Sequence, residues 1–102
     1  MEFFVSDTPR RIVGLPWYCR EDYPTIRRVM IDPHVLAPSY DQWLAAAENN
    51  ETVGRQAGLE IVRVMIVPEE FKAWCLSQDL KPDSAARAKF ASEHSAAENT
   101  RA

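Results

Sequence analysis

The residues best suited to binding chemistry are aromatic side chains interleaved with arginines. Arginine forks bind carboxylates and phosphates, and aromatic faces stack on cations and flat ligands. Such a set can line a shallow site for a small organic anion. The candidate ligand-binding residues are Trp17, Tyr18, Arg20, Tyr40, Trp43 and Arg63.

The same residues also have a purely structural interpretation, which we favour. Tyr40 and Trp43 fall on an apolar helix stripe, and Trp17 is placed to plug the junction between the N-terminal arm and the helices. Arg63 is the one charge inside an apolar strand. It can bind an anion or pair with an acid such as Glu60. More often such a residue lies on the exposed rim of a strand, where its stem covers apolar surface.

The residue types that bind transition metals are sparse in this chain. Cys19, Cys75, His34 and His94 are the candidates, and no two lie at the close spacings of structural zinc sites. A cysteine–histidine pair for nucleophilic catalysis can be drawn in any chain with two of each. We therefore predict no metal and no cofactor, assign no catalytic residue and lean towards a protein that is not an enzyme. Both cysteines are predicted to be reduced and buried.

Length and charge exclude several classes of protein. The chain has 102 residues and a net charge of −3, so we expect one globular domain over 1–97 and a mobile tail over 98–102. The acidic balance argues against a dedicated nucleic-acid binder, which needs a concentrated basic face. No apolar run approaches the roughly 18 residues of a membrane helix. The apolar segment at the N-terminus is too short for a signal peptide, so a cytoplasmic location is expected.

One strong strand is expected to organise the fold. Residues 60–67 are rich in β-branched side chains and apolar on both alternating faces, which favours a buried strand. Pro68 then suits the first position of a helix, and Glu69 and Glu70 place negative charge at the positive end of its dipole. The short segments 3–5 and 11–13 are candidates for a neighbouring strand, after which Gly14, Leu15 and Pro16 are predicted to break any regular element.

Three further helices complete the predicted fold. They cover about 23–31, 39–57 and 83–96. Ser39 and Gln42 fit a capping box at the start of the second of these, and Gly58 is suited to a left-handed stop at its end. The fold class is therefore α+β, with three to four helices packed on a small sheet built around residues 60–67.

The chain resembles a family of small uncharacterised bacterial proteins. The resemblance covers most of residues 17–90. It rests on Trp17-Tyr18-Cys19-Arg20-Glu21-Asp22-Tyr23, Tyr40-Asp41-Gln42-Trp43-Leu44, Val62-Arg63-Val64 before Pro68-Glu69-Glu70-Phe71, Trp74-Cys75, and Ala86-Arg87 with Phe90. The family pattern often closes the strand with Asp-Pro, whereas this chain has Val67 before Pro68. The resemblance implies the architecture and no activity.

Two functions follow as expectations. The first, which we favour, is a non-enzymatic interaction or homo-oligomerisation module. Because one doubly apolar strand lacks an equally strong partner in its own chain, we predict a homodimer with that strand or the last helix at the interface. Another protein partner is left open. The alternative is a small-ligand or anion-binding protein, or an enzyme, that uses the aromatic and arginine residues. A deep pocket containing both Arg20 and Trp17 would favour the alternative.

Overall fold

The described part of the chain contains four α-helices and two β-strands, which confirms the predicted α+β class. The computed structural model describes the backbone of residues 11–100 and the side chains of residues 11–95. The predicted strand over 3–5 lies outside the described residues. The elements in chain order are β1 (Ile12–Trp17), α1 (Tyr23–Val29), a short 3₁₀ turn (Pro33–Val35), α2 (Tyr40–Gln56), β2 (Glu60–Met65), α3 (Pro68–Ser77) and α4 (Ser84–Thr100).

The described sheet has two parallel strands. β1 pairs with β2 from Ile12 opposite Glu60 to Trp17 opposite Met65. A parallel pair needs a long crossover, and here α1 and α2 form it. The predicted strand around residues 60–67 is thus confirmed as the centre of the fold, with its regular part ending at Met65.

β1 corrects one prediction, because the strand continues through the residues that were expected to break it. The backbone oxygens of Arg11 and Trp17 accept hydrogen bonds from Glu60 and Ile66, at 2.9 and 2.8 Å. Since successive residues of a strand alternate in direction, the intervening Pro16 has its missing N–H on the outer edge, where no ladder bond is lost. An edge position is where a strand tolerates proline.

Gly14 is required in β1 by the close approach of α4. A Cβ at residue 14 would overlap the carbonyl oxygen of Ala91. The helix lies this close because its sheet-facing side is built from small side chains, with Ala86 and Ala91 buried beside Phe90. The predicted thin alanine face of the last helix therefore packs on the sheet.

The helix ends follow local sequence signals. The Ser39 hydroxyl accepts a hydrogen bond from the Gln42 amide at 3.2 Å, and Gly58 has φ of +91° after α2. The serine cap and the glycine stop are confirmed, whereas the Gln42 side chain accepts from the Ser39 hydroxyl and not from the Ser39 amide that a capping box requires. Val67, which stands where the family pattern has aspartate, forms no side-chain cap for α3.

The core lies between the sheet and the helices, and α1, α2, α3 and α4 all contribute buried side chains to it. Its largest fully buried side chains are Phe71, Ile26, Ile66 and Val64. Trp74 lies at the margin of this core, where its ring meets Phe90 edge to face at 5.2 Å. None of the helices in the described part of the chain has the length and apolar character that a membrane span requires.

Candidate functional site

The predicted aromatic residues form one contiguous cluster at the junction of β1 and α2. The Trp43 ring lies 5.1 Å from Trp17, 4.8 Å from Tyr18 and 5.3 Å from Tyr40. Trp17, Tyr18 and Trp43 are buried. Because the rings pack on one another, their faces are occupied by protein. The cluster therefore joins β1 to α2 as part of the core.

Arg63 sits at one end of this cluster, where it contacts an aromatic ring and a carboxylate. Its guanidinium lies 3.9 Å from the centre of the Trp17 ring. Its Nε and Nη2 donate to the two carboxylate oxygens of Glu51 at 2.7 and 2.8 Å, while Arg55 Nη2 lies 3.4 Å from the same carboxylate. The hydrogen bonds from Arg63 hold the pKa of Glu51 below its usual value against the opposing effect of burial.

Glu51 is the partner of Arg63, and it was not predicted from the sequence. Arg63 was expected to bind an anion, to pair with an acid such as Glu60 or to lie on the rim, and it pairs with Glu51 on α2. The signal was present in the sequence, since residue 51 continues the helical stripe of Trp43 and Ala47 at intervals of four. A carboxylate on a core-facing stripe needs a cationic partner from a neighbouring element.

Arg20 lies at the other end of the cluster and is also paired. Its Nη2 donates to Asp41 at 2.8 Å, and its guanidinium lies 4.6 Å from the centre of the Tyr40 ring. Both charged groups of this pair are exposed. The Asp41 carboxylate raises the pKa of Arg20 further above its usual value. Both predicted arginines are thus held by carboxylates of α2.

A buried polar cluster ties α4 to the segment after α1. Arg87 Nη1 lies 3.3 Å from Asp32 Oδ1, and the Ser84 amide donates to Asp32 Oδ2 at 2.9 Å. Burial raises the pKa of Tyr18 to about 12, although the nearby Arg87 acts in the opposite direction. Burial also favours the protonated form of Asp32, but the Ser84 amide and Arg87 outweigh it and lower the pKa of this carboxyl. The arrangement is that of a structural anchor.

Both outer edges of the described two-stranded sheet are unpaired, and the edge of β2 is the one without a proline. Glu60 and Ile66 donate to β1, so the backbone groups of the alternating residues Ile61, Arg63 and Met65 point away from it. No described strand pairs with this edge. Met65 is 44% exposed there.

Two cavities in the described part of the chain divide the predicted site residues between them. A groove of about 260 Å³ beside β1 is lined by Trp17, Tyr18 and Trp43. Arg20 and Tyr40 instead line a second, larger cleft. Arg63 lines neither cavity. The six predicted site residues are therefore neighbours in the fold without converging on one cavity.

Comparisons with known proteins bring no further assignment. A scan against protein-family models and searches of curated proteins and of solved structures find no match to this chain. The resemblance to a family of small bacterial proteins stays a prediction. Within residues 11–95, no group of three or more metal-ligating side chains lies together.

Proposed function

We propose that the protein is a non-enzymatic homodimerisation module whose interface is the outer edge of β2. The observation that supports this is an interior-type strand with no described neighbour on one side. A two-stranded parallel sheet is an unusually small one, because parallel sheets are normally larger and covered on both faces. An open edge with apolar neighbours is a template for pairing with another strand.

A second copy of the chain fits this edge. Antiparallel pairing of β2 with its symmetry mate extends the sheet to the order β1–β2–β2–β1 and forms the self-complementary interface typical of two-fold dimers. If the pairing is centred on Val64, Arg63 faces Met65 of the second copy. The two arginines then avoid the directly opposite position, where like charges are destabilising.

The charge at this edge is already compensated, which supports the proposal. A lone lysine or arginine on an edge strand deters pairing. Here Glu51 neutralises Arg63 through two hydrogen bonds, and the Arg63 guanidinium lies over the ring of Trp17 on β1. The deterrent is therefore weaker than the residue type implies.

Composition supports a cytoplasmic site of action for this module. Cys19 and Cys75 are both free thiols, and Cys75 is buried as predicted, whereas Cys19 is only partly buried. Burial also raises the pKa of the Cys75 thiol, which lowers its reactivity. Such thiols are typical of a reducing compartment.

Light scattering after size exclusion tests the dimer. We expect the mass of two chains of 11.6 kDa at micromolar concentration. Met65→Lys adds a charge at the open edge and should shift the protein towards the mass of one chain. Leu76→Lys is the matched control, since Leu76 is 81% exposed on α3 and lies off the proposed interface.

Two results would contradict the proposal. One is a parent protein with the mass of one chain that does not change on concentration. The other is a dimer that Leu76→Lys dissociates and Met65→Lys leaves intact, which would place the interface on α3. Circular dichroism of both variants establishes that each is folded before its mass is interpreted.

A further inference from the structure

A cleft of about 700 Å³ opens beside α1, on the side of the protein where the chain enters α2. This volume lies within the usual range for small-molecule sites, about 300–1,000 Å³. The cleft has a cationic part and an apolar part. Its lining residues are Arg20, Tyr23, Pro24, Arg27, Arg28, Met30, Pro33, Pro38, Ser39 and Tyr40.

The charge of this cleft differs from that of the whole chain. Three arginines line it and no aspartate or glutamate does, although the chain carries a net charge of −3. Arg20 is compensated by Asp41 at the rim. Arg27 and Arg28 have no carboxylate within ion-pair distance among residues 11–95. Two adjacent positive charges are thus left for an anion.

The hydrogen bonds of Arg27 and Arg28 leave donors free for a ligand. Arg28 Nη2 donates to the Thr25 hydroxyl at 2.9 Å, and the rest of its exposed guanidinium has no acceptor in the described protein. Arg27 Nη2 makes one long contact of 3.5 Å with the Pro33 carbonyl. Arg27 Nε is buried and has no acceptor among the described residues. A buried unpaired donor is unfavourable, and the remaining N–H groups of the two guanidinium groups can donate to the oxygens of an anion.

A position at the end of a helix does not account for these features. Arg27 and Arg28 lie in the last turn of α1, where positive charge offsets the helix dipole. Solvated arginines above an acidic surface would offset the helix dipole equally well. The position at the helix end explains neither the absence of carboxylates from the cleft nor the unpaired Nε of Arg27.

We propose that this cleft binds a small organic phosphate monoester. A phosphate monoester carries about −1.5 to −2 charges near neutral pH, which matches two uncompensated arginines better than a single carboxylate does. Arg27 and Arg28 bind the phosphate oxygens. The organic group lies against Met30, the prolines and the edge of Tyr23. Arg20 and Tyr40 form the rim.

Titration with phenyl phosphate, followed by calorimetry and by amide shifts in NMR, tests the site. Benzoate is the comparison ligand, because it has the same ring and one negative charge. Inorganic phosphate separates binding of the anion from binding of the organic group. We expect saturable binding of phenyl phosphate, at least fivefold weaker binding of benzoate and of inorganic phosphate, and shift changes centred on residues 23–30 and 39–40.

Three substitutions identify the residues that carry the binding. Arg28→Gln and Arg27→Gln should each weaken phenyl phosphate binding roughly tenfold or more, the usual effect of losing a hydrogen bond to a charged group. Arg28 is exposed and bonds only to Thr25, so its variant is expected to fold even if Arg27→Gln does not. Arg11→Gln is the matched control, because it removes the same charge from an exposed residue outside the cleft.

The outcomes of these binding measurements are distinguishable from those of the dimer test, which measures only the mass of the protein in solution. No saturable binding of phenyl phosphate at millimolar concentration overturns the proposal. Equal losses in Arg28→Gln and Arg11→Gln also overturn it, since they indicate attraction to net charge without a site. Benzoate binding as tightly as phenyl phosphate rejects the phosphate class. A loss of phenyl phosphate binding in Arg28→Gln that Arg11→Gln does not show, with an unchanged melting temperature, supports the proposal.

Discussion

Removing Arg63 should destabilise the protein more than removing its partner, Glu51. The two side chains differ in exposure, since that of Glu51 is 6% exposed and that of Arg63 is 48% exposed. Arg63→Gln leaves a buried carboxylate with Arg55, 3.4 Å away, as its only cation within ion-pair distance among the described residues. Glu51→Gln leaves an arginine that solvent and the Trp17 ring still accommodate.

The size of this difference follows from the burial. Breaking a buried ion pair by removing one partner costs about 3–5 kcal/mol. Because Arg55 remains nearby and Arg63 is half exposed, we expect a loss of about 2–4 kcal/mol for Arg63→Gln. Glu51→Gln keeps the shape and one acceptor, so its expected loss is about 1 kcal/mol. A small domain has about 5–15 kcal/mol of stability in total, so the first change is severe.

The stability lost in Arg63→Gln should also depend on pH, and the direction of this dependence follows from the pKa of Glu51. In the parent, Arg63 holds the pKa of Glu51 below its unfolded value. The stabilisation is therefore complete above the unfolded pKa, about 4.3, and is lost as the pH falls through the folded pKa. In Arg63→Gln, burial acts without that partner and favours the protonated acid. The gap between parent and variant should thus be widest near pH 7 and narrow towards pH 3.

Urea unfolding at one fixed protein concentration measures these differences, with Glu51→Gln and the double variant completing a cycle. The prediction is refuted if the free energy of unfolding of Arg63→Gln lies within about 0.5 kcal/mol of that of the parent at pH 7, which is the range of ordinary surface changes. It is also refuted if the gap stays constant from pH 7 to pH 3, or if Glu51→Gln is the more damaging change.

Two further predictions concern packing. Gly14→Ala should lower the free energy of unfolding by about 1–3 kcal/mol because its Cβ would overlap the Ala91 backbone. Gly54→Ala is the control, since its Cβ would meet side-chain atoms alone, the nearest being Cδ1 of Ile61 at 2.7 Å. Thermal unfolding compares the two, and equal melting temperatures would contradict the close approach of α4. Phe71→Ala should cost about 3–5 kcal/mol in urea unfolding. Trp74→Ala should cost less, since Trp74 is partly buried and Phe71 fully so; the reverse order would show that the core is centred elsewhere.

The site residues illustrate how far a single sequence determines contacts. The aromatic set was predicted as one group, and the structure packs Trp17, Tyr18, Tyr40 and Trp43 together. Which charges these rings would meet was not predicted. Arg63 is 12 residues from Glu51, and its partner depends on how α2 crosses the sheet. The sequence contains several aspartates and glutamates that could pair with Arg63, and local propensity does not indicate which of them does.

Sequence by itself determined the elements whose signals are local. A few neighbouring residues are enough to indicate the strand around residues 60–65, the Ser39 cap of α2 and the Gly58 stop. Each depends on a local preference: β-branched side chains favour strands, hydroxyl side chains cap helices, and glycine adopts positive φ. Tertiary structure decided the rest. β1 passes through Gly14 and Pro16 against local propensity, because α4 requires the missing Cβ and the outer edge tolerates the missing N–H. The arginines of the α1 cleft lie near Tyr40 and Pro33 through packing between segments that no periodicity encodes.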